Sequence, residues 1–102
     1  MTEQLTVVAH LVAKVDKIED TKRFLLSLIE KTRAEDGCVD YDLHQDNDNP
    51  AEFTFYENWS DRAAWDKHMG MPHLAEFGRR KDELFAVDPH IRLMTMVTKR
   101  GA

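Results

Sequence analysis

The residues in this 102-residue chain best suited to chemistry are His68 and His73, which bracket a Gly70 and Pro72 break in a helical stretch. Imidazole is the side chain whose ordinary pKa lies nearest neutrality, so a histidine at a pocket is the commonest general base, able to take a proton from a weak acid. A helix break leaves backbone groups unpaired and opens room for a cavity against whatever packs beneath. His68 also shares a helical face with Trp65. The pattern makes His68 and His73 candidate catalytic bases; the competing use is to cap helix ends or meet solvent.

His10 interrupts the otherwise apolar run Leu5 to Ala13, where a buried polar side chain must find a partner, and is a third catalytic candidate. Trp59, Asn58 and Tyr56 close one aromatic strand, Tyr41 sits in another, and Trp65 lies on the helix with His68. These five are the candidate substrate-binding residues, offering aromatic surface with N–H, O–H and amide groups. Asn58 and Trp59 point to opposite faces of a regular strand, so both line one pocket only at a bulge or strand end. Trp59 is favoured of the two, against its use as a core aromatic.

No metal site is expected. His68 and His73 are five residues apart across a break, without the i, i+4 spacing or accompanying carboxylate of a ligand set, and Cys38 is the single cysteine. No glycine-rich phosphate loop marks a nucleotide cofactor either. His44 and His90 read as exposed. Glu57, Asp40 and Asp42 read as solvated strand charges, with Glu57 able to pair with an arginine such as Arg92. Cys38 reads as a small strand side chain.

These residues need a frame to hold them. Residues 5 to 13 are apolar on both parities and predict a strand covered on both faces. Asp16 and Glu19 resemble a capping box, followed by Leu25, Leu28, Ile29 and Thr32 on one stripe of a helix running to about Asp36, with Gly37 as its left-handed cap. Val39, Tyr41 and Leu43 alternate with polar residues, and Phe53, Phe55, Tyr56 and Trp59 follow the turn-rich segment 46–50, predicting an antiparallel hairpin. Ser60 is placed to cap a short helix over 61–69, and Pro72 to open a second piece reaching Phe85. Ile91, Leu93, Thr95 and Val97 alternate in a last strand.

The order β-α-β-β-α-β is the ferredoxin-like α+β arrangement, one domain over 1–102 with both helices on one face of a four-stranded antiparallel sheet. Apolar residues on both parities of the first and last strands predict a second copy packed on the bare face, a homodimer. A net charge of −5 with scattered Lys and Arg excludes a nucleic-acid binder. The apolar runs are too short for a membrane span, and Met1-Thr2-Glu3-Gln4 lacks signal-peptide character, so a cytoplasmic protein beginning near residue 1 is expected.

The run Gly37 to Asp46, then Asn49-Pro50, then Phe53 to Ser60, then His68 and Pro72-His73-Leu74, resembles the antibiotic-biosynthesis monooxygenase superfamily of dimeric α+β barrels. The resemblance implies a cofactor-free monooxygenase that oxidises an electron-rich aromatic, a quinol or polyphenol, with O2. The protein's share of such chemistry is to remove a proton and hold the anion in a dry pocket. Other members imply alternatives: a haem-degrading enzyme, or an isomerase of a phosphorylated signalling sugar, which would need cations in the cleft such as Arg79, Arg80, Lys81 or Arg92. In the haem-degrading relatives an asparagine stands near the position of His10, a tryptophan matches Trp59, and His73 aligns poorly with the iron ligand. A non-catalytic dimer binding a small aromatic would share the cleft but need no group titrating near neutrality.

Overall fold

In the computed structural model, which describes residues 4–98, the strands β1 (Leu5–Val12), β2 (Cys38–Gln45), β3 (Glu52–Trp59) and β4 (His90–Thr95) form one antiparallel sheet in the order β2-β3-β1-β4. Residues 1–3, which carried the expectation about where the chain begins, lie outside the described residues. The helices are α1 (Ile18–Ser27), α2 (Ile29–Arg33), α3 (Arg62–Met69) and α4 (Pro72–Leu84). The fold is the expected ferredoxin-like α+β arrangement. No helix among the described residues is long and apolar enough to cross a membrane.

Strand parity decides what faces the helices. The register sets Val7, Ala9 and Leu11 of β1 opposite Glu57, Phe55 and Phe53 of β3, and Tyr41 and Leu43 of β2 opposite Glu57 and Phe55. All but Glu57 belong to the apolar core with Phe24, Leu25 and Leu28, or pack against it. The other parity places Thr6, Val8, His10, Thr54, Tyr56, Asn58, Arg92 and Met94 on the opposite face. That face is mixed polar and apolar, not the continuous apolar surface the sequence pattern suggested. Exposed apolar residues gather instead at the β4 edge, at Ile91 and Leu93, and just past it at Met96 and Val97.

Helix boundaries differ in three places from the expectation. The first helix divides at Leu28 and is preceded by a 3-10 turn over Val15–Lys17; no side chain caps α1, so Asp16 and Glu19 form no capping box. The cap of α3 is Asp61, whose side chain accepts from the Ala64 N–H at 2.8 Å, while Ser60 spends its own N–H on the Gly37 carbonyl. Pro72 opens α4 as expected, its missing N–H costing nothing in the first turn. Most ion pairs on these helices, such as Arg23–Asp20, Arg62–Asp66 and Arg79–Glu76, are exposed and contribute about 0–1 kcal/mol each, so the core and not the surface charge holds the frame.

Gly37 joins α2 to β2 at φ 86°, a backbone conformation that an L side chain enters at a cost. A Cβ there would stand 2.5 Å from Ala64 Cβ and 2.7 Å from Ser60 Oγ. Strain and overlap act together, so Gly37→Ala is expected to destabilise the protein by at least about 2 kcal/mol in urea unfolding. Unchanged stability would show that this crossing is loosely packed.

Candidate active site

The turn after α2 is fixed by its own backbone: the Glu35 N–H bonds the Thr32 carbonyl at 3.0 Å, and the Cys38 N–H bonds the Glu35 carbonyl at 3.2 Å. Glu35 is thereby aimed at the α3–α4 break. There, His68 Nδ1 and His73 Nε2 each lie 2.8 Å from the same carboxylate oxygen, Glu35 Oε2, with all three side chains nearly buried. A carboxylate can only accept, so both facing ring nitrogens donate, and neutral His68 is left with its lone pair on Nε2. Three potential ligand atoms within 4.8 Å of one another could also hold a divalent metal, since the carboxylate that the sequence pattern lacked arrives from a distant turn. In the arrangement described, the nitrogens are committed to the carboxylate as hydrogen-bond donors.

His68, only 2% exposed, lies against the wall of a cavity of about 400 Å³ between the sheet and the α3–α4 pair. Val7, Ala9, Leu11, Phe55, Phe77 and Ile91 make it apolar, and its volume falls within the range of small-molecule sites. Tyr41 and Trp65 line it as well. The floor also carries Glu57, 4% exposed, whose Oε1 accepts the Trp59 indole N–H at 2.9 Å. Trp59 itself is wholly buried, and its ring lies against His68 with centroids 4.6 Å apart. One indole therefore touches both Glu57 and His68.

Burial acts on the two in opposite senses. It pushes Glu57 up to about 7, against the Trp59 hydrogen bond and with the Glu35 charge adding to the rise. It pushes the His68 imidazole down, against the hydrogen bond and charge of Glu35. Burial and the Glu57 charge hold the Tyr41 phenol far above its usual range, so it is neutral. Cys38 is raised to about 11 by burial, with Glu35, Glu57 and Asp40 contributing.

The sequence profile of the family described as antibiotic biosynthesis monooxygenase matches residues 4–80. The chain belongs to this family. A Mycobacterium tuberculosis protein, Rv0793, whose name assigns it provisionally to the monooxygenases, is 34% identical over 84 residues, covering 82% of each chain. The Synechocystis sp. protein sll1783 is 31% identical over 89% of this chain, which spans 62% of that protein's length. Among solved structures, that of PA3566 from Pseudomonas aeruginosa is similar at a TM-score of 0.90 and 33% identity, covering 96% of this chain and 98% of the other.

Within this monooxygenase-family domain, the residues singled out by sequence fall into two groups. His68, Tyr41 and Trp65 meet at the cavity, and His73 stands behind His68 across Glu35. Trp59 lies beneath the cavity wall and does not line it. Asn58 faces the other side of the sheet, where it accepts from Thr6 Oγ1 at 2.6 Å and donates to Asp40 at 3.0 Å. Tyr56, 39% exposed, shares that face. His10 is there too, and its side chain is 41% exposed and paired with Glu52 at 2.9 Å, so it is not the buried strand histidine expected. Asn58, Tyr56 and His10 are thus separated from the cavity by the sheet itself.

Sequence reasoning missed Glu35 and Glu57. Glu57 is no solvated charge paired to Arg92, which sits on the opposite face; it shares the parity of Phe53, Phe55 and Trp59, and that parity was the available signal. Because the folded protein holds the Glu57 proton up to about pH 7 while the ordinary value is 4.5, the stability this contributes is fully present below about pH 4.5 and is lost as pH rises through about 7. Gln in its place keeps an acceptor for Trp59 and has no proton to lose. Between about pH 4.5 and about pH 8, the wild type is expected to lose on the order of 3 kcal/mol relative to Glu57→Gln in denaturant titrations. A pH-independent difference would show that Glu57 ionises normally.

Proposed function

We propose that this chain is a cofactor-independent monooxygenase that oxidises a quinol or related polyphenol with O2, using His68 as general base. The observation that carries the reading is His68 at the wall of an apolar cavity, its Nδ1 anchored by Glu35 and its Nε2 without a hydrogen-bond partner among the described residues. An orienting carboxylate behind a histidine fixes the tautomer and stabilises the imidazolium once a proton arrives, the division of labour of a catalytic triad. His68 takes the phenolic proton, and the resulting electron-rich anion passes electrons to O2 directly. Tyr41 and Trp65 bound the ring, and the apolar walls keep water from the anion. The overall change is quinol plus O2 to hydroxyquinone plus water.

Other readings find less support. A phosphorylated substrate needs unpaired positive charge, whereas Lys81, the cation lining the cavity, is paired with Asp88 at 3.0 Å. Haem degradation needs a ligand facing the cofactor, and His73 is turned to Glu35. A mere binding pocket has no use for a carboxyl group titrating near neutrality.

His68→Gln is expected to lower oxygen uptake with a quinol by about 10²- to 10⁴-fold, the usual worth of a general base, while His10→Ala and Tyr56→Phe stay near the wild-type rate. Since the base must be neutral, activity should fall on the acid side as His68 gains its proton. Equal rates for His68→Gln and wild type would remove His68 from the mechanism. A homodimer is part of the same reading, supported by the apolar residues exposed along the unpaired β4 edge. Light scattering should give about twice the chain mass; a monomer at micromolar concentration would exclude it.

A further inference from the structure

Oxygenation of a quinol is only half complete when the anion has combined with O2. The resulting hydroperoxide must still lose a ring proton and break its O–O bond, and that step needs a proton donor for the departing oxygen as well as a base. The cavity contains a second ionisable group besides His68. Glu57 rises from the middle of the sheet, on β3 between Val7 of β1 and Tyr41 of β2, within apolar surroundings. One of its oxygens is held by the Trp59 N–H, and among the described residues the other has no hydrogen-bond partner.

We infer that the Glu57 carboxyl is the acid that completes the reaction, delivering its proton to the distal peroxide oxygen while His68 acts as base across the same cavity. The proposal rests on the oxygenase reading above. Written out, the peroxide anion first formed takes back the phenolic proton from His68, which gives the hydroperoxide and returns the imidazole to its free base. His68 then removes the hydrogen from the ring carbon bearing the peroxide, and that C–H electron pair becomes the second bond of a new C=O. The O–O bond breaks, and the distal oxygen keeps its electron pair, takes the Glu57 proton and leaves as water. His68 is left as imidazolium and Glu57 as carboxylate, and transfer of the proton from one to the other restores both. Oxygen is the only oxidant: one atom enters the product and one leaves as water.

Geometry makes Trp59 the positioning residue for this pair. Its ring lies against the His68 imidazole and its N–H holds the Glu57 carboxyl, so donor and acceptor are referred to one rigid side chain. A carboxyl titrating near neutrality is also present in its acid form under working conditions. The chemistry narrows the substrate class to quinols with an unsubstituted ring carbon beside a hydroxyl, because a carbon bearing no hydrogen cannot form the second C–O bond in this way.

The test follows oxygen uptake, hydroxyquinone formation and hydrogen peroxide together, with methylhydroquinone as probe. Wild type should convert one O2 into one hydroxyquinone with no peroxide. Glu57→Gln should still consume oxygen but divert it to released peroxide, with hydroxyquinone falling by about 10²-fold or more. Trp59→Phe keeps the ring packing and removes the N–H, and should show the same diversion in weaker form; it serves if Glu57→Gln fails to fold by circular dichroism. Full hydroxyquinone yield without peroxide in the folded Glu57 variant, or failing that in Trp59→Phe, would overturn the role of Glu57 and leave the oxygenase reading standing. Absence of oxygen uptake by wild type across a quinol panel would instead overturn the oxygenase reading, and this proposal with it.

Discussion

The site is organised by a single carboxylate oxygen. An ionised carboxylate out of water costs several kcal/mol unless its lone pairs are filled, and Glu35 Oε2 is satisfied by two imidazole N–H groups at once. Those bonds tie the turn after α2 to α3 and to the first turn of α4, 33 and 38 residues further along the chain. They also explain the helix break. On an unbroken helix, residues five apart stand roughly 140° apart around the axis, so His68 and His73 could not reach the same atom. The interruption at Gly70 and Met71 turns the second helix back until they do, with the Met71 N–H closing on the His68 carbonyl.

The cavity that results treats acid and base alike. Removing water penalises whichever form is charged, so a carboxyl is driven toward its protonated state and an imidazole toward its free base. Around neutrality the pocket therefore offers an uncharged acceptor and an uncharged donor in apolar surroundings, with little electrostatic cost for an apolar ring to enter. As protons move, charge develops on His68, and Glu35 is already placed to stabilise the imidazolium. The same wall that excludes water thus sets the protonation states that the proposed chemistry requires.

The order of strands and helices was legible because apolar periodicity is a local signal: Tyr41 and Leu43, or Phe53 and Phe55, declare a strand within a few residues. His68 and the break beside it were legible for the same reason. Glu35 was not, since it is polar, follows a helix end, and has meaning only through partners 33 and 38 residues away. Glu57 was misread by its residue type, although its parity matched the core. For His10 the error ran the other way. An apolar neighbourhood in sequence implies burial for it, but β1 alternates, and its even positions look away from the helices.

Cys38 lies beside this machinery, directly across the sheet from Trp59, with its thiol held up at about 11 by burial and by nearby carboxylates. Sulfur reacts with peroxides as the thiolate, and at neutral pH that form is scarcely populated here. Burial first, and the nearby carboxylates after it, thus keep this sulfur in its less reactive form. For the proposed oxygenase, a sulfur kept in its thiol form is protected from the peroxide that its own reaction would form.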